Sequence, residues 1–191
     1  MNVILASQSP RRRELLGLFR IPFTVRAADI DETMDPALPA EQEVARVSRA
    51  KAMATPAKAE DVVIAADTIV ACNGKTLGKP KSEAQAVEML TMLSGRDHQV
   101  MTGLTVRKGD TCRTVTEITH LHFRKLSQRE ILDYVATGEP MDKAGAYGIQ
   151  GGAALFVERL DGDYYNVMGL PVCRLWQVLA DTAPEVLEGR L

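Results

Sequence analysis

The chain has 191 residues, 46% of them apolar and 25% charged, with a net charge of −2. That composition suits a globular protein of one domain, or of two lobes around one cleft, long enough to bury a substantial core. It excludes a chain held on nucleic acid by overall basic charge, and no apolar run approaches the roughly 20 residues that a membrane-spanning helix needs.

The first apolar run predicts a strand over 2–6, followed by a helix over 9–20 with Ser9 as N-cap and Pro10 as first helical residue. Arg11, Arg12 and Arg13 come next. They have the wrong sign for a helix start, whose partial positive charge prefers Asp or Glu. Phe23 to Arg26 suits a short strand, leading into the acidic loop Asp29-Ile30-Asp31-Glu32. Pro36 and Pro39 break the chain, and Ala40 to Ala54 forms a helix. Asp61 to Ala71 is a mostly apolar strand, and Asn73-Gly74 predicts a hairpin turn. Ser82 to Leu93 is a Ser-capped helix ended by Ser94-Gly95. His98 to Arg107 and Thr111 to Phe123 alternate as two antiparallel strands around Gly109-Asp110. Leu126 to Thr137 is a helix with Gly138 after it. A glycine-rich stretch, Ala144 to Gly152, leads to a strand expected at Ala154–Glu158 and a turn at Asp161-Gly162-Asp163. The last long helix is expected over Leu170 to Leu179, opened by Pro171. Strands and helices intermix without strict βαβ alternation, which argues for α/β or α+β with a mixed sheet.

Cys72, Cys112 and Cys173 are far apart and form no CxxC or Cys/His metal spacing. They are expected as reduced thiols of a cytosolic protein. The opening residues carry no charged-then-apolar leader, and the expected location is cytoplasmic.

Five stretches carry chemistry. At the first helix start, backbone N–H groups, Ser7, Ser9 and guanidinium forks would match a phosphate; the other reading is solvated surface charge. On helix 40–54, Val44, Val47 and Lys51 share one face. A lysine on that inward stripe either snorkels out or meets an anion. Asp67, followed by Thr68, lies in the apolar run VVIAADTIVA, where an unpaired carboxylate is costly to bury. It is therefore an edge residue, paired with a cation, or functional. Asp31 and Glu32 would, if they joined Asp67 near a polyphosphate, hold a hard divalent cation such as Mg²⁺; an acidic loop also stands simply as solvated surface. In Gly78 to Ser82, GKPKS, Lys79 and Lys81 again place positive charge beside a helix start. In MDKAGAYGIQG, Gly145, Gly148 and Gly151 permit positive φ and close backbone approach, and the Gln150 amide offers a donor and an acceptor that fit a base edge. A tight structural loop accounts for the same glycines.

SQSPRRRELL, ADTIV, GKP, LSGR, MDKAGAYGIQG and GDYYNVMGLP occur in that order. Together, over residues 2–175, they closely resemble the Maf family of nucleoside triphosphate pyrophosphatases, and DKAGAYGIQG resembles the branch acting on dTTP and UTP. The resemblance implies a two-lobed α/β fold with a mixed, strongly bent sheet and a deep central cleft, related to the inosine triphosphatases, with the whole chain as one domain. It implies a homodimer and hydrolysis between the α and β phosphates with a divalent cation, Mg²⁺ or Mn²⁺; the net charge and the short apolar runs lead to the expectation of no stable nucleic-acid binding and no membrane. By the same resemblance Asp67 matches the proton acceptor, and Arg11, Thr68 and Gln150 match specificity positions. Ser7, Arg12, Lys51, Lys79 and Lys143 match phosphate-contacting residues, and Glu32, helped by Asp67 or Asp31, matches the metal holder. Arg13 falls at a variable position and is expected on the surface. Two other functions suit part of this pattern: a nucleotide-binding regulator of septum formation acting through a partner, and a purine triphosphate house-cleaning pyrophosphatase.

Overall fold

A computed structural model describes residues 1–35 and 37–189. Pro36, one of the two expected chain breakers, lies outside the described residues. Elements follow in the order β1 (Val3–Leu5), α1 (Pro10–Gly17), β2 (Phe23–Val25), α2 (Ala40–Ala54), β3 (Val62–Cys72), β4 (Lys75–Leu77) and α3 (Glu83–Leu93). Then come β5 (Asp97–Lys108), β6 (Thr111–Phe123), α4 (Gln128–Ala136), β7 (Val157–Asp161), α5 (Tyr164–Met168) and α6 (Val172–Thr182). The strands are hydrogen-bonded in the order β2-β1-β3-β5-β6-β7, with β4 also on β3. β1 runs parallel to β2 and β3, whereas β4 is antiparallel to β3 and β7 to β6. The sheet is therefore mixed, as the irregular alternation of elements predicts.

Local chemistry accounts for the boundaries. Ser9 accepts from the Arg12 amide and Pro10 opens α1; Ser82 accepts from the Gln85 amide at the start of α3. Ser127 and Glu130 form a reciprocal capping box on α4, which satisfies two amides that a helix start otherwise leaves orphaned. Asn73 and Gly74 both have positive φ, 50° and 73°, as the tight hairpin between β3 and β4 requires. Two expectations shift. The strand expected at Ala154–Glu158 is Val157–Asp161, and residues Gly152–Phe156 form a 3₁₀ turn instead. Asp163, read as part of a turn, caps the short helix α5 by accepting from the amides of Tyr165 and Asn166.

The chain divides into two compact units. The first comprises Met1–Asp67, Thr102–Glu117 and Gly169–Leu191. Within it Ile4, Ala6, Val63 and Ala65 pack with Ala52 of α2. α2 lies along β5 in a regular ladder. Gly103 meets the Val44 carbonyl, so closely that a Cβ there would fall 2.1 Å from its oxygen. Thr105 Oγ1 and Ser48 Oγ are 2.9 Å apart, and Arg107 donates to the carbonyls of Ala52 and Thr55. Each successive inward residue of the strand meets the next turn of the helix. α6 is stitched to the same unit by the stacking of Trp176 on Phe19, at 6.0 Å between centroids. Ion pairs Arg174–Glu117 and Arg113–Asp181 add to it.

The second unit comprises Thr68–Met101 and Ile118–Met168. Its interior holds edge-to-face contacts among His98, Phe123, Tyr147, Phe156 and Tyr134. His98 Nε2 and the Tyr147 hydroxyl lie 2.9 Å apart. Such ring pairs contribute about 0.5–1.5 kcal/mol each beyond the area they bury. Ser94 closes the α3 end by accepting from the Leu126 amide at 2.8 Å, which gives the LSGR segment a structural role.

Candidate active site

In the first unit the apolar stripe of β3 turns polar at one position. Val63, Ala65 and Asp67 alternate onto one face of the strand, and the first two belong to the apolar packing around Ala52. α2 makes the matching change: its buried stripe passes from Val44 and Val47 to Lys51. Lys51 is 8% exposed. It does not snorkel out. Its ammonium Nζ donates to Asp67 Oδ1 at 2.7 Å and lies 3.0 Å from Glu32 Oε1. Two carboxylates that are 35 residues apart in sequence thus share one lysine. Asp67 is largely shielded, whereas Glu32 is more than half exposed.

Glu32 is held there through its loop. Arg46 of α2 donates to the Thr33 carbonyl at 3.0 Å and forms a two-pronged pair with the buried Glu43, whose Oε1 accepts from the Asp35 amide. Asp31 has a different task. Its Oδ1 accepts from the Thr33 amide at 2.8 Å, and the Thr33 side chain first, then that amide, with Arg46 a smaller influence, hold its carboxyl below the ordinary range. Among the described residues no group of three or more His, Cys, Asp or Glu is gathered closely enough to hold a metal ion. Glu32 and Asp67 are brought together through the Lys51 ammonium.

The helix start that carries three arginines is ordered by Ser7 and Ser9. Arg12 donates from Nε to the Gly169 carbonyl at 2.8 Å and from Nη1 to Ser7 Oγ at 3.2 Å. Ser7 Oγ also accepts from the Ser9 amide. Burial lowers the Arg12 guanidinium from its ordinary value, Asp67 and Glu32 raise it, and neighbouring Arg11 lowers it. Arg12 is therefore a positioned cation that feels both carboxylates, while Arg11 is half-buried beside it and Arg13 is exposed. The Gly169 carbonyl was not legible as an anchor; its signal is the GLP break before α6, where Gly169 takes φ 107°.

In the second unit the β4–α3 loop and the glycine-rich segment are joined by the bond from the Gly145 amide to the Gly78 carbonyl, 3.0 Å. This brings the backbone next to Lys79 against the segment that contains Lys143. Gly145 has φ +69°, and a Cβ on it would lie 2.7 Å from Val70 Cγ2, so both the conformation and the space require glycine. Lys143 Nζ donates to the Glu139 carbonyl at 2.7 Å and to Asp142 at 2.6 Å. Lys79 and Gln150 are exposed and Thr68 is half-buried.

A lysine shared by two carboxylates, beside a fixed arginine at a helix start, suits hydrolysis at a phosphoryl group: cations to meet the anion, a carboxylate to receive a proton. The chain belongs to the Maf family, since the family model described as Maf-like protein matches residues 2–182. It is 49% identical over 174 residues to the dTTP/UTP pyrophosphatase of Geobacillus sp. (strain WCH70), covering 91% of this chain and 94% of that protein. To the dTTP/UTP pyrophosphatase of Geobacter sulfurreducens it is 50% identical over 179 residues, covering 91% and 93%. Among solved structures, a HAM1 protein from Coxiella burnetii aligns with a TM-score of 0.51 at 14% identity, over 95% of this chain and 100% of that one. That likeness is one of fold. No helix among the described residues is long and apolar enough to cross a membrane.

Proposed function

We propose that this protein is a nucleoside triphosphate pyrophosphatase that hydrolyses dTTP and UTP to the monophosphate and pyrophosphate. Relatives that carry this activity in their names match nine-tenths of the chain at 49–50% identity. The structural observation that carries the mechanism is the Lys51 ammonium between Asp67 and Glu32.

In this reading Asp67 is the general base. Lys51 takes one carboxylate oxygen and so fixes the direction of the other toward water. Water attacks the α-phosphorus, its proton passes to Asp67, and the bond from that phosphorus to the bridging oxygen of the β-phosphate breaks. Negative charge then develops on the departing pyrophosphate, where Arg12, Lys79 and Lys143 act as counter-charges and Ser7 supplies a hydroxyl. Arg11, Thr68 and Gln150 select the base. The hard oxygens of Glu32 and Asp67 fit a Mg²⁺ or Mn²⁺ ion, which characteristically takes one or two carboxylates and fills its remaining positions with phosphates and water. Such an ion supplies charge neutralisation at the phosphate oxygens. A cytoplasmic homodimer that binds no nucleic acid stably is part of the same reading, supported by the family resemblance and the net charge of −2.

The test is a panel of canonical pyrimidine and purine triphosphates with Mg²⁺ or Mn²⁺, resolved by product chromatography. The expected products are the monophosphate and pyrophosphate, formed fastest from dTTP and UTP. Release of orthophosphate, or equal rates on purine triphosphates, would overturn the assignment.

A further inference from the structure

Gln150 stands exposed in a turn whose backbone on both sides is tied to two side chains of the same unit. The Gly148 amide donates to the Tyr134 hydroxyl at 3.1 Å, and the Gly152 amide donates to Glu139 Oε2 at 3.1 Å. The Tyr134 hydroxyl in turn donates to Glu139 Oε1 at 2.9 Å. A further bond, from the Gly151 amide to the Gly148 carbonyl at 3.0 Å, closes the turn. The Glu139 carboxylate fills the space beneath it: a Cβ on Gly151 would lie 2.1 Å from Glu139 Oε1. Tyr134 itself is buried, with its ring edge-on to Phe156 at 5.1 Å. Burial pushes its hydroxyl well above the ordinary value, so it stays protonated and remains a donor.

We propose that Glu139 and Tyr134 are positioning residues that fix the Gln150 turn and thereby set the preference for uracil and thymine over cytosine. The inference rests on the reading of Gln150 as the residue that meets the base. A primary amide can turn over and offer its donor and acceptor in either order. It discriminates only when its backbone is held at a fixed distance and direction from the base. Here the amides two residues before and two residues after Gln150 are both anchored, to two side chains that are hydrogen-bonded to each other. The glycines at 151 and 152 are the consequence, because the carboxylate and the phenol ring occupy the room where side chains would stand, while at Gly148 the Lys143 stem and Glu139 Oε1 share that room.

The experiment compares kcat/KM for UTP and CTP in the wild type and in Tyr134→Phe, Glu139→Ala and Gln150→Ala. Tyr134→Phe keeps the ring contact with Phe156 and removes only the hydroxyl, so it serves should Glu139→Ala fail to fold. The UTP/CTP ratio is expected to fall about tenfold in both positioning variants, with the loss on UTP. Combining either with Gln150→Ala is expected to add little to the effect of Gln150→Ala alone. A merely structural role would lower both substrates equally and leave the ratio unchanged, which would overturn the proposal. If Gln150→Ala loses the ratio while Tyr134→Phe and Glu139→Ala keep it, the positioning role alone fails. If Gln150→Ala itself keeps the wild-type ratio, the reading of Gln150 fails, and this proposal with it.

Discussion

Replacing Asp67 by Asn separates chemistry from folding. The amide is nearly isosteric, keeps an oxygen for Lys51 to donate to, and cannot take up the proton of an attacking water. Loss of a general base lowers turnover by about 10²–10⁴-fold, equivalent to about 3–5 kcal/mol of barrier. The cost to stability is smaller and follows from the geometry. Unit charges separated by the 2.7 Å of the Lys51–Asp67 pair attract by about 6 kcal/mol at an effective dielectric of about 20. Most of that is offset by desolvation of the two groups. The hydrogen bond survives in neutral form, and Glu32 at 3.0 Å still faces the ammonium. The net loss is about 1–2 kcal/mol, which for a chain of this length lowers Tm by about 2–8 °C. The assay is pyrophosphate release from dTTP under saturating substrate, paired with a thermal melt and with binding of a non-hydrolysable triphosphate. Near-normal turnover would refute Asp67 as the base. A collapse of Tm far beyond that range would show the carboxylate to be a structural charge.

Arg12→Ala is expected to raise KM for the triphosphate about ten- to a hundredfold, the worth of a charge-assisted hydrogen bond, with Tm reduced by only a few degrees; unchanged KM with a large loss of Tm would make Arg12 a strut between Ser7 and Gly169. Gly103→Ala would drive a Cβ to 2.1 Å from the Val44 oxygen and 2.8 Å from the Ala45 nitrogen, so α2 must lift from β5, at a cost of about 3 kcal/mol and about 6–12 °C of Tm; a melt within 2 °C of wild type, an arbitrary bound of about one half kcal/mol, would contradict that packing. His98 supplies a pH dependence. Burial pulls its imidazole from the ordinary 6.5 to about 4, so below pH 6.5 the unfolded chain binds a proton that the folded protein refuses. Stability present at neutral pH is therefore lost as the pH falls from 6.5 towards 4, at about 1.4 kcal/mol per unit. In urea titrations His98→Gln should flatten that limb, and an unchanged slope would assign it to other groups.

Much of this architecture is legible in the sequence because local signals and tertiary packing agree. α2 begins after Pro39 and runs over Ala40–Ala54 as its periodicity predicts, and the Ser9, Ser82 and Asn73-Gly74 signals mark real boundaries. β7 is misplaced because Ala153 to Phe156 is a short apolar run, which periodicity cannot assign to strand or to turn. What decides it lies elsewhere in the chain: the Gly152 amide is claimed by Glu139, so the run starts as a tight turn and Leu155 is left 76% exposed. At the site, the inward position of Lys51 follows from the helix stripe. Its partners do not, since the arrival of Glu32 at the lysine that Asp67 also holds depends on a loop clamped by Arg46 and Glu43. Glu139 shows the same limit. It stands just outside the glycine-rich motif, and only the folded turn reveals that the glycines make room for its carboxylate.

The division of the chain has a consequence for the order of its synthesis. The boundaries fall within β3 between Asp67 and Thr68, within β5 between Met101 and Thr102, within β6 between Glu117 and Ile118, and after Met168. Each unit is thus assembled from separate stretches, and the unit that contains β1 and α1 is also the one that contains α6. On a ribosome the second unit has all of its residues once Met168 has emerged. The first still lacks Gly169, whose carbonyl anchors Arg12, and α6, whose Trp176 stacks on Phe19. The usual rule that the amino-terminal unit folds first during translation is inverted here. A nascent chain stalled just after Met168 would present all of the second unit while the start of α1 still lacked the carbonyl that anchors Arg12, and Phe19 the ring that stacks on it.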